Sequence, residues 1–235
     1  MLTLPYFVEE EKSCAYLPDR ASRTLYEYAP HLTPVEYEAR MNAGWRKFGP
    51  MMFRPECPSC RECRPIRIPI ESFRLNRSQM RCIRHNEDLT VKYAAPTADT
   101  QRIELYNRYQ AAQETHRGWE EAGKTLQEYR SIFLNNPIPM GEVSVWDGDA
   151  LLAVALADIT PNAISGVYHY HDPDSRARGL GTFVMLHCLE LALRLKKPYA
   201  YFGYYVRDCP SLVYKANFRP CEIWDEETRS WRELT

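Results

Sequence analysis

Three segments that follow residue 99 have apolar residues at helical spacing. Residues 100–116 place Ile103, Tyr106 and Tyr109 roughly on one face, which predicts a helix. Residues 126–133 predict a second, shorter helix. A third helix is expected over residues 182–195. Its apolar residues lie at helical spacing: Met185 is followed four positions later by Leu189, and Leu189 is followed three and four positions later by Ala192 and Leu193.

Strand patterns lie between these helices. Residues 141–159 contain two apolar runs on either side of Asp147-Gly148, and such a dipeptide is typical of a hairpin turn. Residues 164–171 and 199–206 predict two further strands. The order of elements is helix, three strands, loop, helix and strand. It predicts an α+β fold with a mixed, largely antiparallel sheet flanked by helices.

The first half of the chain has weaker periodicity. Thr33-Pro34-Val35-Glu36 combines a capping box with proline at the first helical position, which predicts a helix to about residue 42 or 44. Residues 64–73 alternate isoleucine with arginine and proline and predict an edge strand, because proline removes a ladder hydrogen bond. The polar stretch at 95–99 is a plausible boundary. We therefore expect an N-terminal Cys/Arg-rich region over 1–97 and a C-terminal α+β domain over 98–235.

Charge is concentrated in residues 40–84. This segment has ten arginines and one lysine against Glu56, Glu62 and Glu71. Its net charge is therefore near +8, while the net charge of the rest of the chain is near −9. Such polarity indicates an anionic partner. The arginine fork suits phosphates and carboxylates in particular.

The bulk sequence excludes several classes of protein. No apolar run reaches the roughly 18 residues of a membrane span. The N-terminal residues lack the basic start and apolar middle of a secretory signal, so we expect a cytoplasmic protein with no membrane partner. In a reducing compartment the eight cysteines are not expected to form disulfides.

Three of the cysteines follow two consecutive C-x-x-C steps, at Cys57, Cys60 and Cys63. This spacing can bring three thiolates to zinc or an iron–sulfur cluster, with Cys14 or Cys82 as a fourth ligand. The alternative is packed or exposed cysteines without a metal. Because nothing places a base beside Cys82, we do not expect a cysteine nucleophile.

A loop of glycine and arginine, Arg176-Ala-Arg178-Gly179-Leu-Gly181, lies between a predicted strand and a predicted helix. Acyl-CoA-dependent N-acetyltransferases use such a loop to hold pyrophosphate, because glycine allows close approach and the helix N-terminus attracts anions. The alternative is a tight turn with solvated arginines.

Several phrases, in this order along the chain, resemble one family. The chain is similar to the N-end rule aminoacyl-tRNA–protein transferases, and most of all to the bacterial aspartate/glutamate leucyltransferases, which are related to the arginyl-tRNA–protein transferases. The phrases are Cys14-Ala-Tyr16-Leu-Pro18-Asp-Arg20, Gly44-Trp-Arg46-Lys-Phe-Gly49, Phe53-Arg54-Pro55, Cys60-Arg-Glu-Cys63-Arg-Pro-Ile-Arg67, Arg77-Ser78-Gln79, Asp172-Pro173-Asp174, Gly181-Thr182, Gly203-Tyr204-Tyr205, Tyr214-Lys215 and Phe218-Arg219-Pro220.

The resemblance implies a reaction and a fold. Leucine would move from leucyl-tRNA to the α-amine of proteins beginning with Asp or Glu, which marks them for degradation. The fold would be like that of the N-acetyltransferases (GNAT-like). No cofactor would be required for transfer, although eukaryotic relatives bind a metal or cluster through N-terminal cysteines.

Candidate residues follow from this reaction. Asp172 is expected as a polar anchor or base, with Tyr204 and Lys215 beside it. An acidic acceptor side chain needs a cation pocket, for which Arg54, Arg67 and Arg77 are candidates. Ser78 and Gln79 would support that pocket, and Tyr16 would stack on the terminal adenosine or the substrate or pack in the core.

The tRNA backbone needs further cations, and Arg46, Arg81, Arg176 and Arg178 are the candidates. His116 and Trp119 are leucine-pocket or core residues. Alternatives remain at this point: an arginyl-tRNA donor, an acetyl-CoA-dependent N-acetyltransferase, or a zinc-stabilised nucleic-acid-binding module without catalysis.

Overall fold

The computed structural model describes residues 6–117 and 123–235, with side chains omitted for 114–117. Trp119 and the side chain of His116 therefore lie outside the described residues. No helix in the described part of the chain is both long and apolar enough to cross a membrane.

The N-terminal quarter forms two small antiparallel sheets and one helix. Thr33 caps this helix through the backbone N–H of Glu36, and the helix predicted from the capping box is confirmed. The four-stranded sheet has the order β1-β4-β6-β5, and β2 pairs with β3. The elements are β1 (Tyr6–Val8), β2 (Lys12–Ser13), β3 (Ala21–Ser22), β4 (Thr24–Tyr28), α1 (Pro34–Asn42), β5 (Arg46–Phe48) and β6 (Met51–Pro55).

The rest of the chain builds a large sheet with helices packed against it. The predicted hairpin and both predicted strands that follow it are confirmed. The elements are β7 (Arg64–Pro69), α2 (Arg77–His85), β8 (Thr90–Ala94), α3 (Thr100–Arg117), α4 (Leu126–Tyr129), β9 (Met140–Asp147), β10 (Ala150–Ile159), β11 (Ala163–His171), α5 (Leu180–Arg194), β12 (Tyr199–Tyr205), α6 (Pro210–Val213), β13 (Glu222–Asp225) and β14 (Ser230–Glu233).

Three short helical segments interrupt this order. The helix predicted over 126–133 is α4 followed by a π-helical turn, Arg130–Leu134. A 3₁₀ helix, Pro173–Arg178, leads into α5, and another, Tyr214–Asn217, follows α6.

The large sheet has the order β14-β13-β7-β12-β11-β10-β9-β8. Within the described residues its pairs are antiparallel except for β11 and β12, which are parallel. The predicted mixed, largely antiparallel α+β fold is confirmed. The apolar side of α5 packs on the sheet and completes the main core, as expected for a helix with buried residues around most of its surface.

The strand predicted within residues 64–73 is confirmed as β7, but its predicted position at the edge of a sheet was wrong. β7 lies between β12 and β13, and both neighbours are antiparallel to it. Pro65 and Pro69 are tolerated there because β13 pairs only with Ile66 and Arg67, between the two prolines. Long-range pairing therefore overrides the local signal.

The sheet joins both sides of residue 97. β7 and β8 come from the first region and pair with β12 and β9 from the second. β8 was not predicted from the sequence. Strands from both predicted regions therefore belong to one sheet. The division of the chain into two regions at residue 97 stays a prediction.

Candidate active site

A cleft opens where β11 and β12 separate. The two strands pair only through Ala163, Ile164 and Ser165 on β11, and beyond this point they have no shared register. Splaying of two adjacent strands leaves a space between them that side chains or a ligand must fill. A cavity of about 490 Å³ occupies the opening, lined in part by Gly166–His169 of β11, Phe202 and Gly203 of β12, Gly181 and Thr182 of α5, and Lys215.

Gly203 allows a side chain to approach the β12 backbone closely. The β12–β7 register is irregular between Tyr201 and Tyr204, and Gly203 has a φ of +72°. Residues other than glycine rarely adopt this conformation. A Cβ atom at Gly203 would lie 3.6 Å from the Nζ of Lys215. The irregular strand therefore brings Lys215 to the mouth of the cleft.

Lys215 is the most strongly perturbed cationic group of the cleft. The residue as a whole is partly exposed, but its amine lies deeper, and burial lowers the pKa of Lys215 to about 7. Its Nζ donates a hydrogen bond to the Tyr204 carbonyl oxygen at 2.8 Å. A substantial fraction of this amine is therefore neutral near pH 7, with a lone pair that can accept a proton.

Arg46 donates a hydrogen bond to the backbone of the same strand, β12. It is buried, and its Nη2 donates to the Gly203 carbonyl oxygen at 3.0 Å. Its guanidinium carbon lies 5.3 Å from the centre of the Tyr204 ring, and its charge is the second cause of the lowered Lys215 pKa. Its buried position gives it a supporting role in the cleft wall, whereas the sequence had suggested contact with RNA.

Tyr16 is accessible to a ligand, whereas the hydroxyl of Tyr204 is already hydrogen-bonded to the backbone. The Tyr204 hydroxyl donates to the Gly44 carbonyl oxygen at 2.7 Å, and burial raises its pKa. Tyr16 lines the cleft with 39% of its surface exposed, while burial of its hydroxyl end raises its pKa to about 12. The Tyr16 ring can therefore contact a ligand, whereas the Tyr204 hydroxyl already holds the backbone.

Asp172 lies at the end of β11 and begins the 3₁₀ helix before α5. Its Oδ2 accepts a hydrogen bond from the Ser175 hydroxyl at 2.6 Å, and its Oδ1 lies 3.2 Å from Nη2 of Arg108. The residue is buried and is not part of the cleft lining. These contacts favour the anchoring role over the role of base.

A second cavity, of about 230 Å³, borders Tyr204 and contains the cysteine triplet. Cys14, Cys57, Cys60 and Cys63 line it, whereas Cys82 contacts the Gly179 carbonyl oxygen beside α5. Burial, followed by the neighbouring thiols, raises the pKa of Cys63 to about 12.

As placed, these thiols do not form a ready metal site. Across residues 6–117 and 123–235, no group of three or more His, Cys, Asp or Glu side chains could hold a metal ion. The Cys57 thiol instead donates to the Arg23 carbonyl oxygen. Zinc or iron–sulfur ligation by the triplet therefore stays a prediction.

The three arginines expected to bind an acidic side chain are separated. Arg54 lines the cysteine cavity, with its Nη2 3.1 Å from Oε2 of Glu56. The guanidinium carbon of Arg67 lies 3.9 Å from the centre of the Tyr199 ring and 4.2 Å from the centre of a Trp231 ring, and Arg67 forms an ion pair with Glu222. Arg77 begins α2 with its side chain exposed. Only Arg54 therefore borders either of the two cavities.

Ser78 and Gln79 lie on α2, away from the cleft lining. Gln79 is buried and completes a capping box with Asn76, and its Nε2 donates to the Asn217 carbonyl oxygen at 3.1 Å. Ser78 is exposed. Gln79 therefore orients the helix rather than a substrate.

The remaining predicted RNA contacts lie near the start of α5. Arg178 pairs with Asp88 through two hydrogen bonds, at 3.0 and 2.9 Å, while Arg176 and Arg81 are exposed. The expected phosphate loop is largely 3₁₀ helix, and Gly179 has a φ of +64° where α5 begins.

The close approach of Lys215 to the backbone at Gly203 was not predicted from the sequence. A glycine inside the strand pattern of 199–206 is itself a signal of a bulge or of close backbone approach. The lining residues Tyr168 and Thr182 carried no comparable local signal, because the cleft forms between strands that meet only in three dimensions.

The fold and the cleft define an α+β protein with an opening between its two parallel strands, and a solved structure shares this fold. The crystal structure of FemX matches with a TM-score of 0.51 at 8% identity, over 85% of this chain and 80% of that one. At that identity the likeness shows the fold alone.

Family models identify the chain more closely. Residues 12–81 match the N terminus of arginine-tRNA-protein transferase, and residues 101–225 match its C terminus. The chain therefore belongs to the arginine-tRNA-protein transferase family and is an aminoacyltransferase.

Curated relatives cover nearly the whole chain. The aspartate/glutamate leucyltransferase of Stenotrophomonas maltophilia is 35% identical over 98% of this chain and 93% of its own length. That of Campylobacter jejuni is 32% identical over 92% of this chain and 91% of its own length. The family resemblance stated from the sequence is confirmed.

Proposed function

We propose that this chain transfers leucine from leucyl-tRNA to the α-amine of proteins that begin with Asp or Glu, and so marks them for N-end rule degradation. Relatives that carry the name aspartate/glutamate leucyltransferase and align with 92% and 98% of the chain support this donor and these acceptors. A cytoplasmic location would supply this donor to the protein.

We assign the reaction to the cleft between β11 and β12. Its opening, where two parallel strands separate beyond Ser165 and Tyr201, supports a GNAT-like arrangement. A volume of about 490 Å³ is sufficient for an aminoacyl group and part of a terminal nucleoside. The exposed ring of Tyr16 is suited to stack on that nucleoside.

The observation that carries the mechanism is the hydrogen bond that holds the Lys215 amine on the β12 backbone beside Gly203, where burial lowers its pKa. The acceptor amine attacks the ester carbonyl carbon, a C–N bond forms, and the ester C–O bond breaks. Lys215 takes a proton from the attacking nitrogen and returns it to the departing ribose oxygen, which leaves as a hydroxyl. A pKa of about 7 matches both transfers, because the same group must gain and lose a proton near neutral pH.

The donor ester is already activated, so transfer itself needs no cofactor. Positioning of the amine against the carbonyl supplies much of the rate. Asp172 contributes by anchoring the end of β11 through Ser175 and Arg108. If the cysteine triplet holds zinc or a cluster, the ion would stabilise the wall beside Tyr204.

We assign recognition of the acidic acceptor side chain to Arg54. It borders the cavity next to Tyr204 and contacts the Trp45 ring, and its ion pair with the partly exposed Glu56 is one that a substrate carboxylate can replace. A partly buried guanidinium rejects a neutral side chain strongly, because its charge would otherwise stay unpaired.

The test is a transfer assay with purified protein. Labelled leucyl-tRNA, arginyl-tRNA or acetyl-CoA is offered with peptides that differ only in N-terminal Glu, Asp or Ala. We expect label to move from leucyl-tRNA to the Glu and Asp peptides alone. Transfer from arginyl-tRNA instead would change the donor, and transfer only from acetyl-CoA would refute the proposal.

A further inference from the structure

One face of α2 is fixed by hydrogen bonds to elements next to the cleft. The side chains of Asn76 and Gln79 both donate to the Asn217 carbonyl oxygen, at 3.2 and 3.1 Å. At the other end of the helix, Asn86 donates to the Arg178 carbonyl oxygen at 2.8 Å. The orientation of α2 on the protein is therefore well determined.

The opposite face of α2 carries only basic charge. Arg77, Arg81 and Arg84 are separated by four and three residues, so they lie in one row about 10 Å long. All three are exposed, and none forms an ion pair with another described residue. We call this row the α2 arginine face.

The arginine face is unfavourable for the helix itself. Like charges three and four residues apart repel each other. Arg77 also occupies the first turn, which contains no acidic residue and where the helix dipole disfavours a cation. The acids that follow the helix, Glu87 and Asp88, do not offset the row, and Asp88 is held by Arg178. Of the three arginines, the dipole favours only Arg84, which lies in the last turn.

The packed side of α2 contacts the start of an element that lines the cleft. Cys82, on the packed side of α2, contacts the Gly179 carbonyl oxygen, and α5 begins at the next residue. Gly181 and Thr182 in the first turn of α5 line the cleft. A polymer whose end enters the cleft on this side would therefore pass next to α2.

We infer that the α2 arginine face docks the phosphate backbone of the double-stranded stem of the donor tRNA while its aminoacyl end occupies the cleft; this rests on the proposed function. Guanidinium groups suit phosphate oxygens, and a row with no acidic neighbour matches a regular polyanion better than an isolated carboxylate. Contacts of this kind position the RNA without reading its sequence.

The experiment compares two variants that remove the same charge. Arg81→Gln/Arg84→Gln removes two cations from the arginine face. Arg194→Gln/Lys196→Gln removes two exposed cations at the opposite end of α5. Binding of labelled, uncharged leucine tRNA is measured by fluorescence anisotropy at several salt concentrations, and circular dichroism checks that both variants are folded.

We expect wild-type binding to weaken steeply with salt. The face variant should bind about tenfold more weakly, and its log–log salt slope should be smaller by about 2, since each cation–phosphate contact contributes roughly one unit. The control variant should match the wild type. Equal losses in both variants, or no loss in the face variant, would overturn the docking surface.

Transfer kinetics separate this inference from the proposed function. With full leucyl-tRNA the face variant should show a raised KM and an unchanged kcat. With leucine esterified to a short single-stranded RNA that has no stem, it should equal the wild type. If the wild type transfers nothing from either donor, the proposed function fails, and the binding comparison still decides whether α2 docks RNA.

Discussion

At the scale of single residues, Lys215 shows how burial lowers the pKa of a cation into the range that proton transfer near neutral pH requires. Its amine is desolvated beside Gly203, and the charge of Arg46 opposes protonation further. Both effects come from groups that are distant in sequence. Two consequences follow, one for activity and one for stability.

Lys215→Met should reduce kcat for leucyl transfer at least a hundredfold, because general acid–base catalysis contributes on the order of 10²- to 10⁴-fold. Wild-type kcat/KM should fall as pH drops through about 7, where Lys215 gains its proton. The acceptor amine, with a pKa near 7.7–8.0, adds a second proton to this dependence. A pH profile of wild type and variant checks both effects, and unchanged transfer in the variant would remove Lys215 from the mechanism.

The same substitution should stabilise the fold. The pKa of Lys215 is lowered from 10.5 to about 7, so between these values the unfolded chain binds more protons and stability rises with pH. Below pH 7 the full penalty is present. Lys215→Met should therefore raise the free energy of unfolding at pH 7 by on the order of 2 kcal/mol, and by less at pH 10. Urea unfolding at both pH values measures this, with Lys196→Met as the exposed control.

Two arginines test the assignment of the acidic-residue pocket. Arg54→Gln should lower the preference for Glu over Ala peptides at least tenfold in kcat/KM, with little change in stability. Arg67→Gln should keep that preference but cost about 1–3 kcal/mol, since it removes the ion pair with Glu222 and the contacts with Tyr199 and Trp231. Loss of the preference for Glu peptides in Arg67→Gln but not in Arg54→Gln would assign recognition of the acidic side chain to Arg67 instead.

At the scale of elements, the irregular strand β12 decides where the cleft opens. Its register with β7 breaks at the segment that contains Gly203, and its pairing with β11 ends at Tyr201. The strand thus supplies both the opening and the approach of Lys215.

Gly203→Ala and Gly148→Ala form a matched pair of tests. Both glycines have positive φ, +72° and +54°, so each alanine should cost about 1 kcal/mol of stability. A Cβ atom at Gly203 faces the Nζ of Lys215 at 3.6 Å, whereas a Cβ atom at Gly148 meets nothing within 4 Å. Only Gly203→Ala should therefore reduce kcat, measured at equal fraction folded. An equal loss of kcat in both variants would contradict the role of Gly203.

At the scale of the whole molecule, a buried ion pair joins the two main sheets. Lys47 on β5 and Asp158 on β10 are both fully buried, and their charged atoms lie 3.0 Å apart. Asn136 also donates to Asp158 at 2.8 Å. The N-terminal sheet is therefore tied to the large sheet by charge as well as by apolar packing.

Removing one partner leaves the other charge buried and alone. Asp158→Leu or Lys47→Met should each cost about 3–5 kcal/mol, while the double variant Lys47→Met/Asp158→Leu should recover most of this loss. Guanidinium unfolding of the four proteins completes the double-mutant cycle. Additive losses would show that the pair is not coupled.

The sequence by itself determined the periodic elements and the family. α3, the β9–β10 hairpin and α5 follow from local spacing of apolar residues, since that spacing matches the geometry of one helix or one pair of strands. The ordered phrases from Cys14 to Pro220 carried the resemblance that the family models confirm.

Only the tertiary structure decided which residues share a site. β7 became an internal strand because β13 pairs between its prolines, and the Arg67 side chain became largely enclosed because Tyr199 and Trp231 pack against it. Lys215 acquired its pKa from burial against β12. Strand pairing and desolvation depend on groups brought together from far along the chain, so no local pattern encodes them.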